Sequence, residues 1–241
     1  MRSSALPRRA LAEFVGTAFL LASVIGSGIA ASRLSSNDTG LQLFENAMAT
    51  AAALAAIILA IGPVSGAHLN PVITLADRLF GGMTTAEALA YVMAQVLGAM
   101  FGAIVANLMF ELPAVQLSET ERTGGGQWLA EVVATLGLML VAFGVARSKR
   151  ATAAPFAVGA YIGAAYFFTS STSFANPAVT VARSLSDTFA GIAPASVPAF
   201  VIAQLVGLGI ALPLLRYLYP PDRAAAEDVI VPHADDSGEE E

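Results

Sequence analysis

The segment HLNPVITLADRL, residues 68–79, and its counterpart FANPAVTVARSL, residues 174–185, decide the fold. Asn is a favoured N-cap, and Pro suits the first helical position because its missing N–H would be unpaired there in any case. Asn70-Pro71-Val72 and Asn176-Pro177-Ala178 therefore read as two helix starts. From either start an apolar helix of about ten residues is expected, ~15 Å long, which is half of a ~30 Å hydrocarbon core. Two such half-helices entering from opposite faces would meet at the midplane. A single Asn-Pro pair is most simply a turn; a pair repeated at matching places in a duplicated chain is not.

The duplication is visible outside the two segments as well. LAEFVGTAFL from Leu11 matches LAEVVATLGL from Leu129, and AQVLGAM from Ala94 matches AQLVGLG from Ala203, in the same order around the Asn-Pro pairs. Six segments approach the roughly 20 apolar residues a spanning helix needs: about 10–31, 44–63, 85–109, 127–146, 152–169 and 198–219. Each half holds three, so the second copy is upside down relative to the first, an inverted repeat. The expected fold is an all-α membrane protein of six transmembrane helices and two re-entrant half-helices. Repeat one covers 10–110 and repeat two 127–219, with a short N-terminus at 1–9. Small residues such as Gly98 and Gly102 let helix backbones approach closely.

Of 241 residues 56% are hydrophobic and 12% charged, against roughly a quarter charged in a soluble domain. The net charge of -6 belongs mostly to 220–241, where eight acids meet one base, Arg223. That tail reads as disordered, cytoplasmic and without chemistry. With no cysteine there is no disulfide framework and no thiolate metal site. The run Leu11 to Ala31 is too long for a signal-peptide core and is read as a retained span. Placing both termini in the cytoplasm puts Arg2, Arg8, Arg9, Arg78, Arg147, Lys149, Arg150, Arg216 and Arg223 inside, and only Arg33, Arg122 and Arg183 outside, which obeys the positive-inside rule.

Irregular backbone at membrane depth is tolerated where it is buried or lines an aqueous cavity. The loops leading into the half-helices, 62–69 and 169–175, should therefore line a pore. Their carbonyls would accept, Asn70 and Asn176 would donate to a passing hydroxyl, and two helix N-termini would make the centre positive and repel cations and protons. Glu13 and Glu131 sit inside spans, where a charge is costly. Their symmetry points to a structural task, accepting hydrogen bonds from the loop backbone; a proton relay is the alternative. Gln95 and Gln204 invite the same structural reading. His68 could line the cytoplasmic half of the pore. It has no second His, Cys or carboxylate beside it in the motif, so neither a metal nor any cofactor is expected.

The segments SGAHLNPVIT and FANPAVT resemble the two signature loops of the major intrinsic proteins, the aquaporin and aquaglyceroporin family, and the resemblance extends over about residues 8–219. It implies one pore per subunit, a homotetramer, a bacterial-type inner membrane, and Asn70 and Asn176 at the pore centre. Val72 stands where the family usually has Ala. The family's outer constriction usually carries Arg three residues after the second Asn, and that place is Val179 here. Counting back by the family's pattern puts the other filter positions near Thr50, Ala164 and Ser173, a wide and weakly polar constriction. Such a filter resembles that of a bacterial subgroup associated with arsenic resistance, which passes undissociated arsenite and similar metalloids; glycerol is of comparable size. Arg183, one turn beyond Val179, either restores part of the filter charge in an outer vestibule or sits at the interface against lipid phosphates or the last carbonyls of its half-helix.

The expected function is a passive channel for small uncharged solutes, with membrane lipids around it and no nucleic-acid partner. A secondary transporter is the competing class, since inverted repeats with broken helices also build those. A non-conducting scaffold is a third, and an enzyme is disfavoured because no nucleophile-base pair or metal cluster occurs in the spans.

Overall fold

A computed structural model of the chain describes residues 5–148 and 150–219. The tail at 220–241, the first residues of the N-terminal segment and Lys149 lie outside the described residues. Among the described residues eight α-helices follow in order: α1 Leu6–Leu34, α2 Thr39–Ser65, α3 Pro71–Phe80, α4 Thr85–Met109, α5 Gly125–Arg147, α6 Ala154–Phe168, α7 Pro177–Arg183 and α8 Val197–Leu218. Among the described residues there is no strand.

Local chemistry sets the helix ends. Asp38 caps α2 by accepting from Leu41 N at 2.9 Å, and Thr84 with Glu87 forms a reciprocal capping box on α4. The first half-helix, α3, stops at Gly81, whose φ of 94° suits only a residue without a Cβ.

The most extensive helix pairing is α1 with α4, and α5 with α8 is its counterpart in the second half of the chain. Small residues make these pairings possible. A Cβ at Gly98 would overlap the Phe14 carbonyl, and one at Gly207 would overlap the Val132 carbonyl. Phe14 and Val132 each follow the buried Glu of their repeat, so the two close crossings are the same joint built twice. Large apolar side chains such as Phe19, Phe101, Phe156 and Ile202 are exposed around the outside, as a lipid-facing surface requires, while the interior holds buried Glu, Gln, Asn, Ser and Thr.

Two expected lengths are corrected. By length and apolarity five helices qualify as spans, and the helix expected over 152–169 is an α-helix of 15 residues, ~22 Å long. A 3-10 turn at Ala151–Ala153 precedes it and brings the segment to ~28 Å. The second half-helix, expected to run about ten residues, has seven. Its continuation is drawn off by the connection between α4 and α5. Gln116 N donates to Leu185 O and Ser118 N to Ser184 O, both at 3.0 Å, and Asn107 Nδ2 donates to Leu185 O at 3.1 Å. Those carbonyls are satisfied across the surface of the bundle instead of along a helix.

Candidate functional site

The two loops that the sequence assigns to the pore re-enter the bundle with the same unusual backbone. Ala67 and Leu69 have φ of 48° and 53°, and Ser173 and Ala175 have 51° and 48°. Gly66 and Thr172, at 83° and 60°, complete the match. Left-handed conformations cost a non-glycine residue about 1 kcal/mol or more, so something must hold two such residues in the first loop and three in the second.

Two carboxylates hold them. Glu13 Oε1 accepts from Ser65 Oγ at 2.6 Å and His68 N at 3.0 Å, and Oε2 from Leu69 N at 2.7 Å and Gln95 Nε2 at 2.8 Å. Glu131 Oε1 accepts from Ser171 Oγ at 2.6 Å and Phe174 N at 2.9 Å, and Oε2 from Ala175 N at 2.9 Å and Gln204 Nε2 at 2.6 Å. Each Gln also donates to the half-helix beneath it, Gln95 to Thr74 Oγ1 at 2.9 Å and Gln204 to Thr180 Oγ1 at 2.8 Å. A buried carboxylate is tolerable when its lone pairs are met by well-placed donors, and both carboxylates are fully buried. Four donors apiece leave neither carboxylate with an oxygen that lacks a hydrogen bond.

Asn70 Oδ1 caps α3 by accepting from Val72 N at 3.0 Å, and Asn176 Oδ1 caps α7 by accepting from Ala178 N at 3.0 Å and Val179 N at 3.2 Å. Pro71 and Pro177 occupy the first helical positions, while Val72 and Ala178 are fully buried behind the wall. Each Asn also donates across to the other loop: Asn70 Nδ2 to Ala175 O and Asn176 Nδ2 to Leu69 O, both at 2.8 Å. An amide has two N–H groups, so one of each pair is left for the cavity.

Both Asn side chains border an elongated cavity with about 620 Å³ of empty space, its open end included. Its apolar wall comes from helix stripes at a spacing of four: Thr50, Leu54 and Ile58 on α2 and Val158, Ile162 and Tyr166 on α6. Leu20 and Val24 of α1 and Leu138 and Ala142 of α5 add equivalent pairs. His68 lies on the side of the chain termini. Its Nδ1 is 3.1 Å from Thr74 Oγ1 and its Nε2 is 3.9 Å from Asp77 Oδ2, so the fold brings to it a carboxylate that the motif alone did not show. Among the described residues no three His, Asp or Glu side chains gather as a metal ion would require.

At the distal mouth, away from the termini, the structure brings together Thr50, Ser173 and Val179. It does not bring Ala164 there: that residue is exposed on the outside of α6. Tyr166 faces the cavity instead, and its Oη donates to Thr50 Oγ1 at 3.2 Å. Counting back from Asn176 assumes a fixed loop length, and two residues along a helix rotate a side chain by ~200°, which exchanges the inner face for the outer one. Ser173 borders the cavity, but its Oγ is buried and makes no hydrogen bond among the described residues.

Arg183 is placed differently from the interfacial reading. It is 2% exposed and borders the cavity; Nε donates to the Ala190 carbonyl, and the guanidinium carbon lies 3.5 Å from the Phe174 ring centroid. Its Nε is held by the Ala190 carbonyl and not by the last carbonyls of α7.

Comparison with known proteins follows the geometry. The sequence profile of the family described as Major intrinsic protein matches residues 1–174. The chain is 48% identical over 223 residues to the aquaglyceroporin AqpS of Rhizobium meliloti, covering 92% of this chain and 95% of that protein. It is 30% identical over 240 residues to aquaporin AqpM of Methanothermobacter marburgensis, covering 88% and 98%. Among solved structures, the aquaglyceroporin from Plasmodium falciparum superposes with a TM-score of 0.68 at 20% identity, covering 90% of this chain and 98% of that one. That likeness carries the fold.

Proposed function

The chain belongs to the major intrinsic protein family, and on that premise we propose a passive channel whose substrates are As(OH)3 and related metalloids, glycerol and water. Family membership makes it a multi-pass membrane channel for small neutral solutes and not an enzyme. The metalloid assignment is the finer step, and one observation carries it: the side chain bordering the distal mouth three residues after Asn176 is Val179, a small apolar group where the family usually carries Arg.

The physical consequence is an amphipathic passage. The lining mixes hydroxyls and amides from Thr50, Tyr166, Asn70 and Asn176 with apolar groups from Val179, Leu54, Ile58, Val158 and Ile162. Solutes with hydroxyls disposed around a compact centre exchange their hydration for these donors and acceptors without a fixed guanidinium narrowing the way. Such a wall suits As(OH)3 and glycerol alike. A glycerol facilitator without a metalloid role is the second reading, favoured by the similarity to the R. meliloti aquaglyceroporin. A coupled transporter needs carboxylates free to bind an ion, and the committed oxygens of Glu13 and Glu131 weigh against it. A homotetramer in a bacterial-type plasma membrane, with both termini cytoplasmic, belongs to the same proposal.

The test is a comparison of water, glycerol and As(OH)3 permeability in proteoliposomes of the full chain. All three are expected to pass. Fast water flux with both larger solutes excluded would defeat the wide-filter reading.

A further inference from the structure

Two guanidinium groups converge on one ring at the distal mouth. Arg183 lies over Phe174, and Arg122, from the connection between α4 and α5, lies with its guanidinium carbon 5.1 Å from the same ring centroid. Each is held by its Nε. Arg183 donates to the carbonyl of Ala190, and Arg122 donates to that of the next residue, Gly191, at 2.8 Å. Gly191 is itself fixed by space, because a Cβ there would overlap Ser118 and the Ser186 carbonyl. Consecutive carbonyls thus orient both forks and leave the Nη edges of both without a hydrogen-bond partner among the described residues.

Among the described residues no carboxylate makes an ion-pair contact with either guanidinium, and Glu131 attracts both only across a distance. Glu131 is committed to its four donors, and Asp187 accepts from Ser118 Oγ at 3.4 Å and from Glu119 N at 3.0 Å. Desolvated cations are normally paired, and two held near one ring repel each other. An oxyanion relieves both penalties, since planar guanidinium forks bind such groups through paired N–H donors.

We propose that Arg122 and Arg183 form a seat for a small soluble oxyanion of the carboxylate, phosphate or sulfate kind, and that its occupant obstructs neutral-solute flux. A lipid phosphate shares this chemistry, but Arg183 opens on the cavity and not on the apolar outside of the bundle. The effect on flux rests on the channel reading; the binding does not.

Thermal unfolding of the full chain in detergent is followed during titration with sulfate or inorganic phosphate against chloride at matched ionic strength. The same is done for Arg122→Gln and Arg183→Gln, which control for the general stabilisation these anions give. The expected shift in the unmodified chain is about 3 °C near tenfold saturation, and most of it is lost in either variant. Should Arg183→Gln not fold, Arg122→Gln carries the comparison. In phosphatidylcholine proteoliposomes, sulfate on both sides should lower glycerol flux saturably, and Arg122→Gln should remove that sensitivity. Equal shifts in the unmodified chain and the variants, or flux indifferent to sulfate, overturns the proposal. So does a phosphatidylglycerol titration that abolishes the sulfate shift, which would assign the seat to a headgroup. Sulfate binding through the two arginines without any glycerol flux would defeat the channel reading and leave the seat standing.

Discussion

Asn70 and Asn176 exchange hydrogen bonds: each donates its Nδ2 at 2.8 Å to the carbonyl of the residue that precedes the other. Each also caps its own half-helix, so one side chain performs both the local and the long-range task. Neither half of the repeat satisfies its loop carbonyl alone.

Separating the two tasks is possible with Asn70→Asp, which keeps the capping acceptor and loses the donor. Its cost should be about 1 kcal/mol, and Asn70→Ala, which loses cap and cross-bond together, should cost about 1–3 kcal/mol. Thermal unfolding in detergent measures both. Equal losses in the two variants would show that the exchange carries everything and the cap nothing.

Replacing Glu131 by Gln turns one acceptor oxygen into an amide NH2 that faces other donors. A loss of about 3–5 kcal/mol is expected, with little folded protein recovered, and Glu13→Gln should behave alike. A folded, conducting Glu131→Gln channel with altered proton leak would instead favour the relay alternative.

Tyr166 and Ala164 make a paired test of the distal mouth. Tyr166→Ala removes the ring from the cavity and should raise glycerol permeability relative to water. Ala164→Leu adds bulk on the exposed face of α6 and should leave that ratio unchanged. Stopped-flow light scattering reads both, and the opposite ranking would restore Ala164 to the filter.

Val179→Arg places a guanidinium one turn from Arg183. Glycerol and As(OH)3 flux should fall by about tenfold, equivalent to ~1.4 kcal/mol of added barrier, while water flux falls less. Equal loss of all three would point to blockage or misfolding instead of a restored filter, and an unfolding midpoint tells those two apart.

Much of this site is legible in the chain because the residues concerned contradict their surroundings. A Glu or Gln inside an apolar span, or an Asn-Pro pair at a helix start, states its own physics, and Glu13, Glu131, Gln95, Gln204, Asn70 and Asn176 were all readable that way. Tyr166 was readable too, through the Val158, Ile162, Tyr166 spacing, but counting by loop length led to Ala164. Arg122 and Arg183 were not. Their placement depends on the Phe174 ring and on the carbonyls of Ala190 and Gly191, which come together only when the long connection folds over the end of α7, and no periodicity in the sequence announces that.

The carboxylates that suspend the re-entrant loops stand behind the wall and touch nothing that passes. On the proposed channel reading, gauge and preference are vested in different residues: Glu13, Glu131 and their glutamine partners hold the loops that border the bore, while Thr50, Tyr166, Ser173 and Val179 furnish its surface. Such a division lets the furnishing change by single substitutions without the passage collapsing, and it makes this scaffold a tractable starting point for retuning which neutral molecule is let through.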